Sequence, residues 1–296
     1  MGHKIDLLRK TKLGLRHQVG PLDIWQLQNE YFLQPSINQV LLLNDGMVKL
    51  SELEEPEVQR IAVTNETNQQ ILVFEGLILD GLRQARMASS DQILEPAAQG
   101  FLDVVCVEQG RWGDEFDGEV IQRAPISVIA SLRRGIQTKR SQREVWSSVE
   151  RHQSRTQSLH TTSLRYMMDS YRSSESWLPF KNFRGFELSK DTNGIAVSVS
   201  GEPLLAEFFS SPSVCQQQFR SIVESVLWDL DAYEVKKTSN RSLLDFLDVS
   251  TQMYEANAEP SLHRTRDEVS FRSLRISNMR NPLHVLAINH SNPILV

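Results

Sequence analysis

Three dipeptides constrain how this chain can fold. Asp45-Gly46, Asp80-Gly81 and Ser200-Gly201 each stand between two short apolar runs. A two-residue type I′ turn needs positive φ at both central residues, and Gly-containing pairs of this kind reach it most easily. The first lies in "VLLLNDGMVKL" (Val40–Leu50), the second in "LILDGLRQARM" and the third in "GIAVSVSGEPLLAEFF" (Gly194–Phe209). Each predicts an antiparallel pair. "RIAVTN" and "QQILVFEG", separated by the polar Glu66-Thr67-Asn68, read as a further hairpin. The first half is therefore expected to be a meander, with Ile61–Asn65, Ile71–Leu79 and Val104–Glu108 in one antiparallel sheet. Pro96 and Gly100 bracket a loop before the last of these strands.

Helices are expected elsewhere. Between Ser141 and Arg172 there is no Gly or Pro, and apolar positions are sparse. Leu164, Met167, Met168 and Tyr171 fall at i, i+3, i+4 and i+7, and Val145, Trp146 and Val149 suggest a second face. That predicts one long or broken, largely exposed helix. After the third hairpin, Ser211 suits an N-cap and Pro212 a first helical position. Phe219, Ile222, Val223, Val226, Leu227 and Leu230 follow as a core-facing stripe. "SLLDFLDV" suggests another helix and "NPLHVLAINH" a last strand, whereas the basic first twenty residues carry no clear period and predict a short helix or a loose arm. The class is α+β, with a mainly antiparallel, meander-like or sandwich-like sheet, packed helices and a basic helical middle. The expected organisation is a single domain over 1–296, with a first sheet region at 20–130, an exposed helical segment at 131–180 and a second sheet and helix region at 185–296.

Composition narrows the function. Apolar residues make up 40% and charged residues 23% of the 296, which suits a chain with a real core. No apolar run approaches the roughly 18–20 residues that span a bilayer, and "MGHKIDLLRK" lacks a signal-peptide core. With only Cys106 and Cys215, neither a disulfide framework nor a cysteine zinc site is expected, so a cytoplasmic protein with reduced thiols is the expectation. The net charge of −5 conceals nine Arg or Lys against four Asp or Glu between Ser131 and Trp177. Overall acidity still argues against a dedicated nucleic-acid binder.

No GxGxxG, P-loop, GxSxG or HExxH motif is present, so no cofactor is named by the sequence. His152 and His160, eight apart on a helix, would lie about 12 Å from each other, too far to share a metal. The informative stretch is "LDVVCVEQGRW", Leu102 to Trp112. Alternation puts Cys106 and Glu108 on one side of the strand, and Gly110 allows a bend that re-aims Arg111 and Trp112. A carboxylate beside buried valines is costly unless it is paired or hydrogen-bonded. "FEGLILDGLRQARM" repeats the grammar with Glu75, Gly76, Gln84 and Arg86. If the two segments share a sheet, Glu75, Gln84, Arg86, Glu108 and Arg111 line one pocket with Trp112 as its wall. The arginines would fork onto a phosphate or carboxylate, and Glu108 or Glu75 would accept a sugar hydroxyl or act as base. The competing reading is that such Glu–Arg pairs merely close the fold and Trp112 caps the core.

The same two blocks resemble the family named for association with ADP-ribosylglycohydrolases and a rhodanese/phosphatase superfamily, the ARG-and-rhodanese-phosphatase-associated protein domain family. The residues that carry the resemblance are a Glu-Gly strand leading to Gly81, Gln84 and Arg86, and the strand end Cys106, Val107, Glu108, Gly110, Arg111 and Trp112. "GIAVSVSGEPLLAEFFSSP" and the helix after it resemble the family's second half, so the likeness runs over about Ile61 to Leu230. Leu82 stands where a second glycine is common beside Gly81. The resemblance implies a context and not a reaction: ADP-ribose, NAD-derived nucleotides or phosphoester chemistry. Two functions follow as expectations. One is binding or processing of a small phosphorylated ligand of that kind at the Glu/Gln/Arg cluster. The other is a non-catalytic interaction module that docks a partner through the basic helical segment.

Overall fold

A computed structural model of the chain describes residues 11–30, 40–43, 46–113, 118–156, 161–172, 186–230, 242–253, 261–266, 268–275 and 281–295. The first strands are β1 (Thr11–Val19), β2 (Leu22–Asn29), β3 (Val40–Leu42), β4 (Val48–Ser51), β5 (Arg60–Asn65) and β6 (Gln70–Val73). They continue with β7 (Leu77–Asp80), β8 (Arg86–Ala88), β9 (Gln92–Leu94), β10 (Gln99–Cys106) and β11 (Glu119–Arg123). Helices α1 (Ile126–Thr138), α2 (Ser141–Thr156) and α3 (Leu164–Arg172) follow. Then come β12 (Gly194–Val199), β13 (Glu202–Phe209), α4 (Pro212–Leu230) and α5 (Leu243–Gln252). Strands β14 (Ser261–Arg266), β15 (Val269–Leu274) and β16 (His284–Asn289) complete an α+β fold with mainly antiparallel sheets.

Packing divides the chain into two compact units. One holds Met1–Asn38, Asn182–Val223 and Tyr233–Val296; the other holds Gln39–Lys181 with Glu224–Ala232. The first unit contains a seven-stranded sheet in the order β1-β2-β12-β13-β16-β15-β14, antiparallel throughout. Helix α5 packs over β13 and β15, where Phe246 and Leu247 meet Phe208, Phe271 and Val285 in the core. The expected Ser200-Gly201 hairpin is present, with φ of 50° and 82° at the two turn residues. Ser211 caps α4 as expected, its Oγ accepting the N–H groups of Ser213 (3.1 Å) and Val214 (3.4 Å). The Phe219-to-Leu230 stripe is buried. The loose arm expected near the start is instead an edge strand from Thr11, paired with β2. It escapes a periodicity argument because a bulge interrupts its register between Leu13 and Arg16, and most of its side chains are exposed. Residues 1–10 lie outside the described residues.

The second unit corrects the meander. Its six-stranded antiparallel sheet runs β11-β7-β8-β10-β5-β4, beside a three-stranded sheet β3-β6-β9. The runs flanking Gly46 do not pair with each other: β3 lies parallel to β6, and β4 lies antiparallel to β5 (Asp45 is outside the described residues). Nor do β5 and β6 form a hairpin. The connecting loop is folded by the Asn65 side chain, whose Oδ1 accepts the Thr67 N–H and whose Nδ2 donates to the carbonyls of Gln69 and Glu95. That side chain supplies the turn bonds a hairpin ladder would have used. The run Ile71–Leu79 is two strands in two sheets, broken where Gly76 takes φ 88°. A short strand, β9, precedes the loop expected between Pro96 and Gly100, and β10 begins inside it at Gln99. The expected sheet holds in part: β5, β7 and β10 share one antiparallel sheet, and the runs around Asp80-Gly81 pair as β7 with β8, though through residues 81–85 and not a two-residue turn.

The helical middle is less exposed than its composition suggests. Helix α1 begins at Ile126 and buries nine residues, Arg133 among them. On α2, Val145, Ser148, Val149 and His152 are buried, and the predicted Leu164/Met167/Met168/Tyr171 face of α3 is buried too. Residues 157–160 and 173–180 of the expected segment lie outside the described residues. Among the described residues no helix is long and apolar enough to cross a membrane.

Candidate functional site

The end of β10 is laced to its surroundings on both edges. On one edge Cys106 faces Arg86 of β8, and the Val107 N–H continues the ladder to the Ala85 carbonyl at 3.0 Å. On the other edge a side chain replaces a strand: the Gln142 amide accepts the Cys106 N–H (2.9 Å) and donates to the Cys106 carbonyl (2.8 Å). One residue further, the Leu164 N–H reaches the Val107 carbonyl and Glu108 forms an isolated antiparallel bridge with Ser163. Gly110, at φ 84°, then turns the chain, which runs back until the Gly113 N–H meets the Arg83 carbonyl at 3.1 Å. A left-handed backbone at that point suits glycine and gives the bend expected from the sequence.

The charged residues sort into three layers. Arg86 is fully buried and its fork is taken: Nη1 and Nη2 donate to the two oxygens of Glu52 at 2.8 and 3.0 Å, and the carbonyls of Val58 and Glu57 accept from Nε and Nη2. Glu108 is 5% exposed; its Oε2 accepts the Ala85 N–H at 2.9 Å and lies 2.8 Å from Arg111 Nε, an ion pair without an aligned hydrogen bond. Arg111, a third exposed, extends Nη2 to the Leu82 carbonyl and the edge of Asp80. Asp80 is shared with Arg165 of α3, whose guanidinium pKa is raised chiefly by the bond to that carboxylate. Trp112 is 46% exposed, and the guanidinium carbons of Arg83 and Arg86 each lie 5.8 Å from its ring centre. It is a solvent-facing ring on two cations.

Gln84, Glu108, Arg111 and Trp112 therefore come together, with Arg86 directly beneath. Glu75 is held elsewhere in its own lock. It is 1% exposed, and both its oxygens are taken by Arg133 of α1, with Nε–Oε2 at 3.1 Å. Arg83, Asp80, Ser163 and Arg165 also belong to the cluster, and sequence reasoning missed them. Asp80 and Arg83 stood in the quoted turn, but nothing local linked Ser163 or Arg165 to it.

The cluster has a surplus of donors. Gln84 turns Oε1 to the Cys106 S–H at 2.9 Å, and its Nε2 is buried without a partner. Arg83 Nε, Arg111 Nε and Ser163 Oγ are likewise buried without a hydrogen bond. Buried polar groups are ordinarily satisfied; Arg111 Nε still has the Glu108 carboxylate at 2.8 Å, so the donors that lack an acceptor are Arg83 Nε, Gln84 Nε2 and Ser163 Oγ.

A second constellation in this unit, Ser127, His152 and Asp229, is a clasp and not a nucleophile. Ser127 donates its hydroxyl to Asp229 Oδ1 (2.6 Å) and its backbone N–H to Oδ2 (2.8 Å). The single nitrogen His152 Nε2 lies near both Ser127 Oγ (3.0 Å) and Asp229 Oδ1 (3.2 Å). A nucleophilic triad instead sends the serine proton to one ring nitrogen and sets the carboxylate on the other. Here the carboxylate caps the start of α1.

Neither thiol is arranged to react. Burial is the first cause that pushes both Cys106 and Cys215 above the ordinary thiol value of 9.0, and the neighbouring Glu207 adds to it at Cys215. A raised folded-state pKa favours the fold while the thiol is protonated. That contribution should be present below about pH 9 and be lost as pH rises beyond it. Iodoacetamide at pH 8 should leave both cysteines unmodified in folded protein and label both in urea, as read by mass spectrometry; labelling of Cys106 in the folded protein at the unfolded rate would contradict this placement. Among the described residues no group of three His, Cys, Asp or Glu side chains could hold a metal ion.

The family model for the ARG and Rhodanese-Phosphatase-superfamily-associated Protein domain matches residues 10–280. No curated protein and no solved structure matches the chain. The match extends beyond the two motif blocks at both ends and takes in most of both compact units: the chain belongs to the ARG and Rhodanese-Phosphatase-superfamily-associated Protein domain family.

Proposed function

We propose that this chain binds or processes a small phosphorylated ligand of the ADP-ribose or NAD-derived class at the end of β10. The observation that carries the reading is the donor surplus: Arg83 Nε, Gln84 Nε2 and Ser163 Oγ are buried without a hydrogen bond, beside the partly open Arg111 guanidinium. Phosphoryl and sugar oxygens supply acceptors in quantity, and a guanidinium is the natural partner for them. Trp112 offers an exposed ring on which a base can stack. Both contacts to Glu108 fall on Oε2, which leaves Oε1 as the hydroxyl acceptor or base. The association with ADP-ribosylglycohydrolases that the family resemblance implies selects this class among phosphorylated ligands.

Calorimetric titration with ADP-ribose, NAD and AMP tests the reading, with inorganic pyrophosphate as the bare-anion control. Arg111→Lys keeps the charge and loses the fork, so affinity should fall about tenfold while the melting temperature changes little. Glu108→Gln should reduce any turnover more than it reduces binding. Absence of binding by all three nucleotides, or an Arg111→Lys protein that unfolds with no change in affinity, would return the cluster to an ion-pair clasp.

A further inference from the structure

The buried end of the cluster differs from its rim. At the rim the groups are charged: Arg111, Arg165 and Asp80. At the inner end the unpartnered donors are neutral, Gln84 Nε2 and Ser163 Oγ, on residues only 4% and 1% exposed. Both residues are tied to the strand end that carries Glu108. Ser163 is the residue opposite Glu108 in their antiparallel bridge, and residues so paired project to the same face. Gln84 reaches that face through Cys106, two residues before Glu108 and on the same side of the strand. The Cys106 thiol keeps its proton in this setting and has two acceptors in reach, Gln84 Oε1 at 2.9 Å and the Glu108 carbonyl at 3.1 Å. Donation to the nearer one turns the Gln84 amide nitrogen away from the sulfur.

An acceptor grouped with two neutral donors discriminates among ligand groups. A carboxylate or phosphate placed there would satisfy the donors but would compete with Glu108 for its ion-pair partner Arg111. An ammonium group would satisfy Glu108 and leave both donors orphaned. A group that carries N–H beside C=O satisfies both sides at once and brings no charge. We infer that Glu108, Gln84 and Ser163 read a carboxamide on the ligand, with Glu108 Oε1 accepting its N–H while Gln84 Nε2 and Ser163 Oγ donate to its C=O. This rests on the reading of the cluster as a ligand site, and it narrows that ligand to a nicotinamide-bearing nucleotide over its deamidated counterpart.

Two pairs of probes separate the two claims. The first is NAD against nicotinic acid adenine dinucleotide, and the second is benzamide against benzoate, all titrated into the unaltered protein. NAD and benzamide should each bind at least about tenfold tighter than their acid counterparts, because a site built on a hydrogen bond rejects the analogue that lacks it. Ser163→Ala should shrink both ratios, and Glu108→Gln should collapse them, since the new amide can donate to a carboxylate. Equal binding of NAD, its acid analogue and ADP-ribose would overturn the carboxamide inference and leave the phosphorylated-ligand reading standing. Preference for benzamide with no nucleotide binding would do the reverse. If none of the probes binds, water alone occupies the donors and both claims fall; that outcome is measured on the unaltered protein and does not depend on a variant that folds.

Discussion

Replacing Arg86 with methionine should destabilise the protein by about 3–5 kcal/mol, the usual cost of leaving a buried charge without its partner. The expectation follows from the completeness of the arrangement around this side chain. It is fully buried, and Glu52 meets it with two oxygens and is itself almost wholly enclosed. Methionine fills much of the volume but strands the Glu52 carboxylate and two backbone carbonyls. Glu52 also accepts the Arg83 N–H at 3.0 Å, so the loss should spread into the turn that carries Gln84. Urea denaturation gives the magnitude. Adding Glu52→Gln to Arg86→Met should recover over half of the loss, because it removes the stranded charge and keeps an acceptor for Arg83. A cost under about 1 kcal/mol for the single variant would mean water reaches the pair, since exposed pairs contribute little.

That result bears on how a ligand would be held. Two arginines were expected to act as an anion fork, and only Arg111 remains partly open to solvent. Arg86 shapes the floor beneath Trp112, fully buried and with its fork already on the Glu52 carboxylate. Its substitution should therefore change stability, whereas Arg111→Lys should change affinity. The two arginines looked alike in sequence because each followed a Gly and a Gln at short range. Their difference arises from Glu52, which lies 34 residues before Arg86 in an acidic stretch.

What the sequence made legible was mostly local. The Ser200-Gly201 turn, the Ser211 cap and the α3 and α4 faces all depend on contacts within a few residues, and they stand as expected. Strand partners were another matter. Asp-Gly at 45 and 46 states that a turn can form and does not state which strands will pair beyond it; β3 and β4 went to different sheets. Period-2 arguments also assume one wet face, and β12, β13, β15 and β16 are buried at every described position, so they show no alternation. The same limit applied to the site. The strand end Cys106–Trp112 identified itself by residue type, and the bend at Gly110 came with it. Ser163, just before α3, and Arg165 within it enter more than fifty residues later, through a bridge and an ion pair that only the fold creates.

The basic helical middle gives the second large effect. Its basic charge and sparse apolar positions suggested a largely exposed helix, with fast amide exchange from about Thr138 to Thr162 relative to the sheet. Arg133 shows why charge alone misleads: the side chain is fully buried, and Glu75 neutralises it from the junction between β6 and β7. The same junction admits α1 closely, since a Cβ on Gly76 would lie 2.4 Å from Ile129 Cδ1, and the Ala124 N–H bonds to the Gly76 carbonyl at 2.7 Å. Arg133→Met should therefore cost about 3–5 kcal/mol by stranding Glu75, and Glu75→Gln in that background should restore most of it. Native-state hydrogen exchange supplies the local readout. Amides of Ile126–Thr138 should exchange as slowly as those of β7 and β10 in the unaltered protein, then accelerate preferentially in Arg133→Met. Exchange in α1 as fast as in the exposed face of α2 would show that the helix is not locked to this junction. Uniform acceleration across the unit would instead show that the pair supports the whole sheet, and the helix only as part of it.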